Sequence, residues 1–366
     1  MKTLSELAPR APVPEPRDGA GSPRPLRIGS FSRLWLPRRA VILVVLVAVL
    51  LLAAGISLAT GDYPVPLFSV PDVLLGGGDP LDRFTILQLR APRTAIGVLV
   101  GVALGFAGAL TQTVTRNPIA SPDILGVSAG AGVGALTVIV LGSNTIVGTV
   151  VAVPAAALAG GLIAAVLVYT LAWRGGVDGF RLILVGIAIN AVLVALTTWM
   201  LAGARIAQAT EATVWLTGSL EGRTWEQFWP VTVAVGLFSA LSIVVVRSLP
   251  ALMLGDDSAA ALGVRVGASK TVLLIIAVGL TAFSVSAAGP IGFVAFVAPQ
   301  IALRVTGAAA PPLLISALMG ACLVTASDLI ARTLLPSPLP VGIVTTAIGG
   351  PFLIYLIIRT NRRAAA

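Results

Sequence analysis

Residues 40–60 read AVILVVLVAVLLLAAGISLAT, twenty-one in a row with no charge. At about 1.5 Å per residue, a helix of that length crosses a hydrocarbon layer of roughly 30 Å. A soluble core helix needs one apolar stripe, whereas this block is apolar all round. Comparable blocks recur to the end of the chain, so residues 40–60 open a series rather than form a lone anchor. Ten spans account for the series: about 40–60, 94–113, 124–141, 146–172, 181–202, 228–246, 271–287, 291–305, 312–330 and 340–358. The expectation is an all-α membrane protein of about ten transmembrane helices.

Composition points the same way. Of 366 residues, 57% are hydrophobic and 11% charged, outside the usual balance of a soluble domain. Residues 1–39 are rich in Pro, Arg and Ser without apolar periodicity, and are expected to be a disordered tail. A polar leader of that length followed by so long an apolar block does not suit a signal peptide, so the first span is expected to stay in the mature protein. The expected organisation is therefore a tail at 1–39, a polytopic transmembrane domain at 40–359 and a short tail at 360–366.

The basic residues set the orientation. An even number of spans puts both tails on one side, where eight Lys and Arg precede the first span and ten more lie in loops and at the chain end. The other side has six: Arg83, Arg90, Arg93, Arg205, Arg223 and Arg332. Eighteen against six predicts cytoplasmic tails in the cytoplasmic (inner) membrane. The same scatter, between apolar blocks rather than in a stripe, argues against nucleic acid as the partner of the net charge of +9.

Chemistry is sparse. Cys322 is the single cysteine and there is no histidine; this excludes a disulfide, a thiolate metal site and a His-ligated haem, and neither a metal site nor a cofactor is expected. Gly130-Ala131-Gly132-Val133-Gly134-Ala135 satisfies a dinucleotide fingerprint, but inside an apolar span with no preceding strand. Residues Gly263 to Thr271 resemble a phosphate loop but lack the Gly-Lys pair, since two residues separate Gly267 from Lys270. No enzymatic activity is expected of this chain. Gly97, Gly101, Gly105 and Gly108 share a helical face, spacing that lets backbones approach closely in lipid. Little charge lies in the spans: Asp328 is near a span end, and Asn190 is the most central strong polar group, which weakens an ion-coupled secondary transporter without eliminating it.

Three segments carry a resemblance. The first runs from Leu89-Arg90-Ala91-Pro92-Arg93-Thr94 to Arg116-Asn117-Pro118-Ile119-Ala120-Ser121-Pro122 and Leu125-Gly126-Val127-Ser128. The second is Gly289-Pro290-Ile291-Gly292-Phe293-Val294 with Ala298-Pro299-Gln300-Ile301. The third joins Asp328-Leu329-Ile330-Ala331-Arg332 to Leu339-Pro340-Val341-Gly342 and Gly349-Gly350-Pro351-Phe352. Together these resemble the FecCD/BtuC family of ABC-importer permeases, whose cargo is iron siderophore, haem or cobalamin. Within it, Gly61-Asp62-Tyr63-Pro64 and Trp215-Leu216-Thr217-Gly218-Ser219-Leu220 look most like the second permease subunit of ferric enterobactin systems. Many relatives have His where this chain has Gln300, so any role of that histidine is not inherited.

The resemblance implies a BtuC-like type II importer fold and a set of partners. These are a second permease subunit (heterodimer favoured, homodimer possible), two ATP-binding subunits, an extracytoplasmic siderophore-binding protein, ferric siderophore cargo and the surrounding membrane lipid. It places an ATPase-coupling loop at about 248–270, through Leu254, Gly255, Asp256, Asp257, Ala261, Leu262 and Gly263. There Asp256 and Asp257 suit a helix start and Gly263 a left-handed stop. It gives Arg90, Arg93 and Arg332 to docking of the binding protein. Because the family's fifth and tenth spans line the pathway, Asn190, Thr197, Thr198, Thr345 and Thr346 become lining candidates. Cobalamin, haem or another chelate as cargo, an ATP-independent secondary transporter, and a non-transporting scaffold remain the alternatives.

Overall fold

The computed structural model describes residues 25–28, 31–34, 37–142, 146–174, 176, 178–334 and 338–364. In chain order its helices are α1 (Pro37–Ala59), α2 (Val70–Leu74), α3 (Pro80–Phe84), α4 (Ala91–Thr115), α5 (Val127–Leu141), α6 (Ile146–Ala172), α7 (Gly179–Ala202) and α8 (Ile206–Leu216). They continue with α9 (Trp225–Val245), α10 (Leu249–Met253), α11 (Asp256–Ala261), α12 (Val266–Ala288), α13 (Val294–Thr306), α14 (Leu313–Thr333) and α15 (Val341–Ala364). Each of the ten expected spans coincides with a helix, and the all-α membrane fold is borne out.

Two of the ten are too short to cross a membrane by themselves. Eight described helices are long and apolar enough to cross a membrane, but α5 has 15 residues and α13 has 13. At 1.5 Å per residue these reach only about 20 Å, short of a hydrocarbon core. Before α5 a 3-10 turn at Pro122–Leu125 takes the place of the missing helix, and before α13 the backbone is irregular, which is tolerated at membrane depth only where protein partners satisfy it. The break before α13 meets that condition. Ser219 N–H donates to the Ala288 carbonyl at 2.8 Å, and Gly342 N–H to the Gly218 carbonyl at 3.1 Å. Gly289, Gly218 and Gly342 lie at this crossing, and a Cβ on Gly342 would stand 1.9 Å from the Thr217 carbonyl oxygen. Segments quoted separately from the sequence thus meet at one junction.

Local chemistry sets several helix ends. Asp178 accepts from Arg181 N–H at 2.9 Å and caps α7. Thr224 caps α9, and Gln227 Oε1 accepts from Thr224 N–H at 2.9 Å, completing a capping box. α15 runs on to Ala364, through most of the expected tail at 360–366. Basic residues suit the last turn of a helix, where they oppose its dipole.

The interior is built around α4 and α12, each with an apolar stretch of 18 residues that is 72% buried, against 11% for α7. Small residues make this possible. A Cβ on Gly101 would meet the Gly320 carbonyl oxygen at 2.4 Å, one on Gly105 the Ser316 carbonyl oxygen at 2.2 Å, and one on Gly108 the Ala295 carbonyl oxygen at 1.7 Å. The glycine face of α4 is therefore a packing face against α14 and α13. Gly130 and Gly134 likewise press α5 on α6, where a Cβ on each would stand 2.4 Å from the Gly160 and 2.1 Å from the Ala156 carbonyl oxygen. The dinucleotide-like pattern is packing.

The segment expected as a disordered tail holds one short antiparallel hairpin, β1 (Pro25–Ile28) and β2 (Phe31–Leu34), with Pro25 opposite Leu34 and Ile28 opposite Phe31. The overlooked signal was the two-residue Gly29-Ser30 between the segments Pro25-Leu26-Arg27-Ile28 and Phe31-Ser32-Arg33-Leu34. The rest of that tail before α1 lies outside the described residues. Also unanticipated were α2, α3 and α8, short helices whose apolar residues are too few to register as spans.

Candidate functional site at the two ends of the bundle

At one end, α1 finishes beside the start of α4 and the end of α14. The last carbonyls of a helix lack intrahelical donors, and here arginines supply them. Arg90 Nη1 donates to the Leu58 and Ala59 carbonyls at 2.8 and 3.0 Å, and its Nη2 to the Tyr63 carbonyl. Arg332 Nη1 donates to the Thr60 carbonyl at 2.8 Å and its Nη2 to the Ser57 carbonyl at 2.6 Å. A carboxylate joins the second arginine to a third. Arg93 donates to Asp328 Oδ1 from Nη2 at 2.7 Å and from Nε at 3.1 Å, and Arg332 Nε lies 3.5 Å from Asp328 Oδ2. Asp328 is 3% exposed. In the loop above, hydrogen bonding to Asp82 raises the Tyr63 phenol above its ordinary range, so it stays neutral.

The three arginines assigned to docking are therefore brought together, but they are not equivalent. Arg90 is buried and committed to backbone, and Arg332 is nearly so. The Arg93 side chain retains 22% exposure, twice that of Arg332. Sequence reading missed that Asp328 organises the group, since 235 residues separate it from Arg93.

At the other end lie α10 and α11, between the end of α9 and the start of α12. α11 starts directly after Gly255, whose φ of +109° excludes a side chain in comfort. Asp256 and Asp257 fall in the first turn as expected, although neither caps it by hydrogen bond. Gly263 has the left-handed φ of +82°, with its N–H on the Ala260 carbonyl at 2.9 Å and Val264 N–H on the Ala259 carbonyl at 3.0 Å. That pair of bonds is a Schellman stop. Ala259 is fully buried, whereas Leu254 and Leu262 are 66% and 65% exposed, with Asp257 and Ala261 exposed beside them. Asp256 is instead engaged inward: Oδ1 accepts from Arg116 Nη2 at 3.0 Å and Oδ2 from Lys270 Nζ at 2.7 Å.

The five lining candidates occupy separate flanks, since α7 packs on α5 and α6 and α15 on α13 and α14. Asn190, Thr198 and Thr346 are exposed in the single subunit. Thr197 donates to the Leu193 carbonyl at 2.9 Å, and the buried Thr345 to the Gly342 carbonyl at 3.1 Å. Gln300 is buried in an amide ladder. Its Nε2 donates to Gln112 Oε1 at 2.8 Å, and Gln112 Nε2 donates to the Phe296 carbonyl at 3.1 Å. Among the described residues no cluster of His, Cys, Asp and Glu could hold a metal ion.

Among the described residues, ten apolar helices form a bundle with a glycine-packed interior, an ion-pair cluster at each end and a short exposed helix beside one of them. The chain belongs to the FecCD transport family, whose model matches residues 46–359. It is 39% identical over 332 residues to the ferric enterobactin transport system permease protein FepG of Escherichia coli, covering 90% of this chain and 99% of that one. It is 36% identical to the Bacillus subtilis siderophore transport permease YfhA (88% and 94% covered) and 37% identical to the cobalamin import permease BtuC of Halobacterium salinarum (81% and 77%). A solved metal-chelate type ABC transporter in an inward-facing conformation superposes with a TM-score of 0.76 at 27% identity, covering 87% of this chain and 99% of that one.

Proposed function

We propose that this chain is one transmembrane subunit of an ATP-driven importer that carries a ferric siderophore across the cytoplasmic membrane. The observation that carries this is its near-full-length likeness to the ferric enterobactin permease. In this reading both tails and α11 are cytoplasmic, as the eighteen-to-six division of basic residues supports. The exposed Leu254, Asp257, Ala261 and Leu262 seat in an ATPase subunit, one of two. Closure of the ATPases on ATP moves this subunit against a second, related permease, and cargo passes between them. The exposed faces of α7 and α15, with Asn190, Thr198 and Thr346, border that passage.

The test is radio-iron accumulation in cells lacking the gene, supplied with a panel of ferric siderophores and, separately, labelled cobalamin. The expected result is loss of uptake for one siderophore class, restored by the intact gene and not by Leu254→Arg with Leu262→Arg at normal membrane level. The relative that carries cobalamin gives the second reading its place. Lost cobalamin uptake with normal iron uptake would move this chain to that cargo.

On the outer face, docking of the loaded binding protein falls chiefly on Arg93, the most exposed of the three arginines. Arg90 and Arg332 act by holding the end of α1. Arg93→Glu is expected to weaken docking about tenfold at low salt and less at high salt, because rim charges act through screened attraction. Unchanged docking in a co-sedimentation titration would leave Arg93 a purely internal partner of Asp328.

A further inference from the structure

Four features converge on Asp256. Its two carboxylate oxygens are divided between Arg116, at the end of α4, and Lys270, in the first turns of α12. The Lys270 side chain is only 5% exposed, so its ammonium has left water and needs a carboxylate in return. Arg116 has a φ of +50°, which arginine seldom adopts, and its Nη1 would lie 3.4 Å from a Cβ on Gly255. Finally, α11 has six residues, far fewer than a helix needs to stand alone, and only Ala259 among them is buried.

We propose that Arg116, Asp256 and Lys270 form a tie that makes α11 move as one body with the ends of α4 and α12. This rests on the coupling role of α11 proposed above and changes the part Asp256 plays in it. Asp256 is a positioning residue whose oxygens face inward, and the ATPase meets Leu254, Asp257, Ala261 and Leu262. The attachment is well placed, because α4 and α12 are the two most deeply buried long helices. A push on α11 reaches the glycine-packed interior through two charged links in different directions. A single apolar contact at Ala259 would let the short helix tilt in its place.

The test is the whole transporter in proteoliposomes, with iron delivered and ATP hydrolysed measured together, using ferric enterobactin or whichever panel chelate the wild type accumulates. Arg116→Gln strands no buried charge, since both Arg116 and Asp256 are 42% exposed. It is expected to co-purify with the ATPase as the wild type does, yet deliver about tenfold less iron per ATP, a loss typical of a coupling free energy. Arg116→Lys is expected to keep most of the coupling. Asp256→Asn is expected to lower both protein level and coupling. Adding Lys270→Met should restore the level, because the stranded ammonium is gone, but not the iron delivered per ATP.

A wild-type iron-to-ATP ratio in Arg116→Gln would overturn the tie. So would loss of ATPase co-purification in Asp256→Asn but not in Arg116→Gln, which would make Asp256 a direct ATPase contact. Should Arg116→Gln not accumulate, Asp256→Asn with Lys270→Met replaces it: a lowered ratio at normal level supports the tie, and an unchanged ratio overturns it. Failure of the underlying reading looks different. Normal transport and association in Leu254→Arg with Leu262→Arg would remove α11 from the ATPase interface altogether.

Discussion

Asp328→Asn is expected to lower the unfolding free energy by about 3 kcal/mol, the low end of the range for stranding a buried charge. The carboxylate is 3% exposed and serves two guanidiniums. The low end applies because Arg93 keeps 22% exposure and can be partly rehydrated. Arg332 keeps its Ser57 and Thr60 carbonyl partners, yet loses the charge that balances it at 11% exposure. The damage should reach α1, whose final carbonyls depend on Arg90 and Arg332. Denaturant unfolding of the purified protein in detergent measures the loss, and a cost under about 1 kcal/mol would show that this cluster is solvated like a surface pair. Asp328→Leu with Arg93→Leu should recover only part of the stability, because Arg332 stays buried without its carboxylate.

Gly108→Ala is expected to be comparably severe although it adds one methyl group. The new Cβ would fall 1.7 Å from the Ala295 carbonyl oxygen, so the obstacle is the backbone of α13 and no rotamer change relieves it. Overpacking of this kind costs about 1–3 kcal/mol, and the upper end applies where the backbone must shift. Separating α13 from α4 would also stretch the Gln112–Gln300 amide ladder that bridges them. Gly236 supplies the control, being in the interior of α9 with nothing within 4 Å of a Cβ. Gly236→Ala is expected to be neutral or to stabilise by up to about 1 kcal/mol, as helix propensity alone predicts. Equal losses in the two variants, in the same unfolding assay, would show that propensity rather than interhelical distance governs the glycine stripe.

The spans were legible because lipid imposes a simple rule: a helix must be apolar for about 20 residues, whatever its neighbours are. That rule located the helix of each of the ten expected spans. It misjudged α5 and α13, which are preceded by a short 3-10 turn at Pro122–Leu125 and by an irregular stretch at 289–293, the latter met by backbone of distant segments. Such enclosure is a property of neighbours distant in the chain, so no local window carries it. The left-handed stop at Gly263 was legible for the opposite reason. It depends on the absence of a side chain at one position, and sequence states that directly.

Charge behaved the same way. Its distribution along the chain bears on orientation, but its pairing came only from the fold. Lys270 was conspicuous in sequence as part of a false phosphate loop, and its partner Asp256 as one of two acids at a helix start. Nothing local joins either to Arg116, which is 140 residues from Asp256. Likewise Arg90, Arg93 and Arg332 read as exposed cations, until folding brought one carboxylate and the end of α1 between them. Hydrophobic length is a sum over adjacent residues, so the sequence alone determined the class, the spans and the packing faces. Ion pairs and helix-end hydrogen bonds act over a few ångströms, so only the tertiary structure decided which charges are buried, which pair, and which remain for a partner.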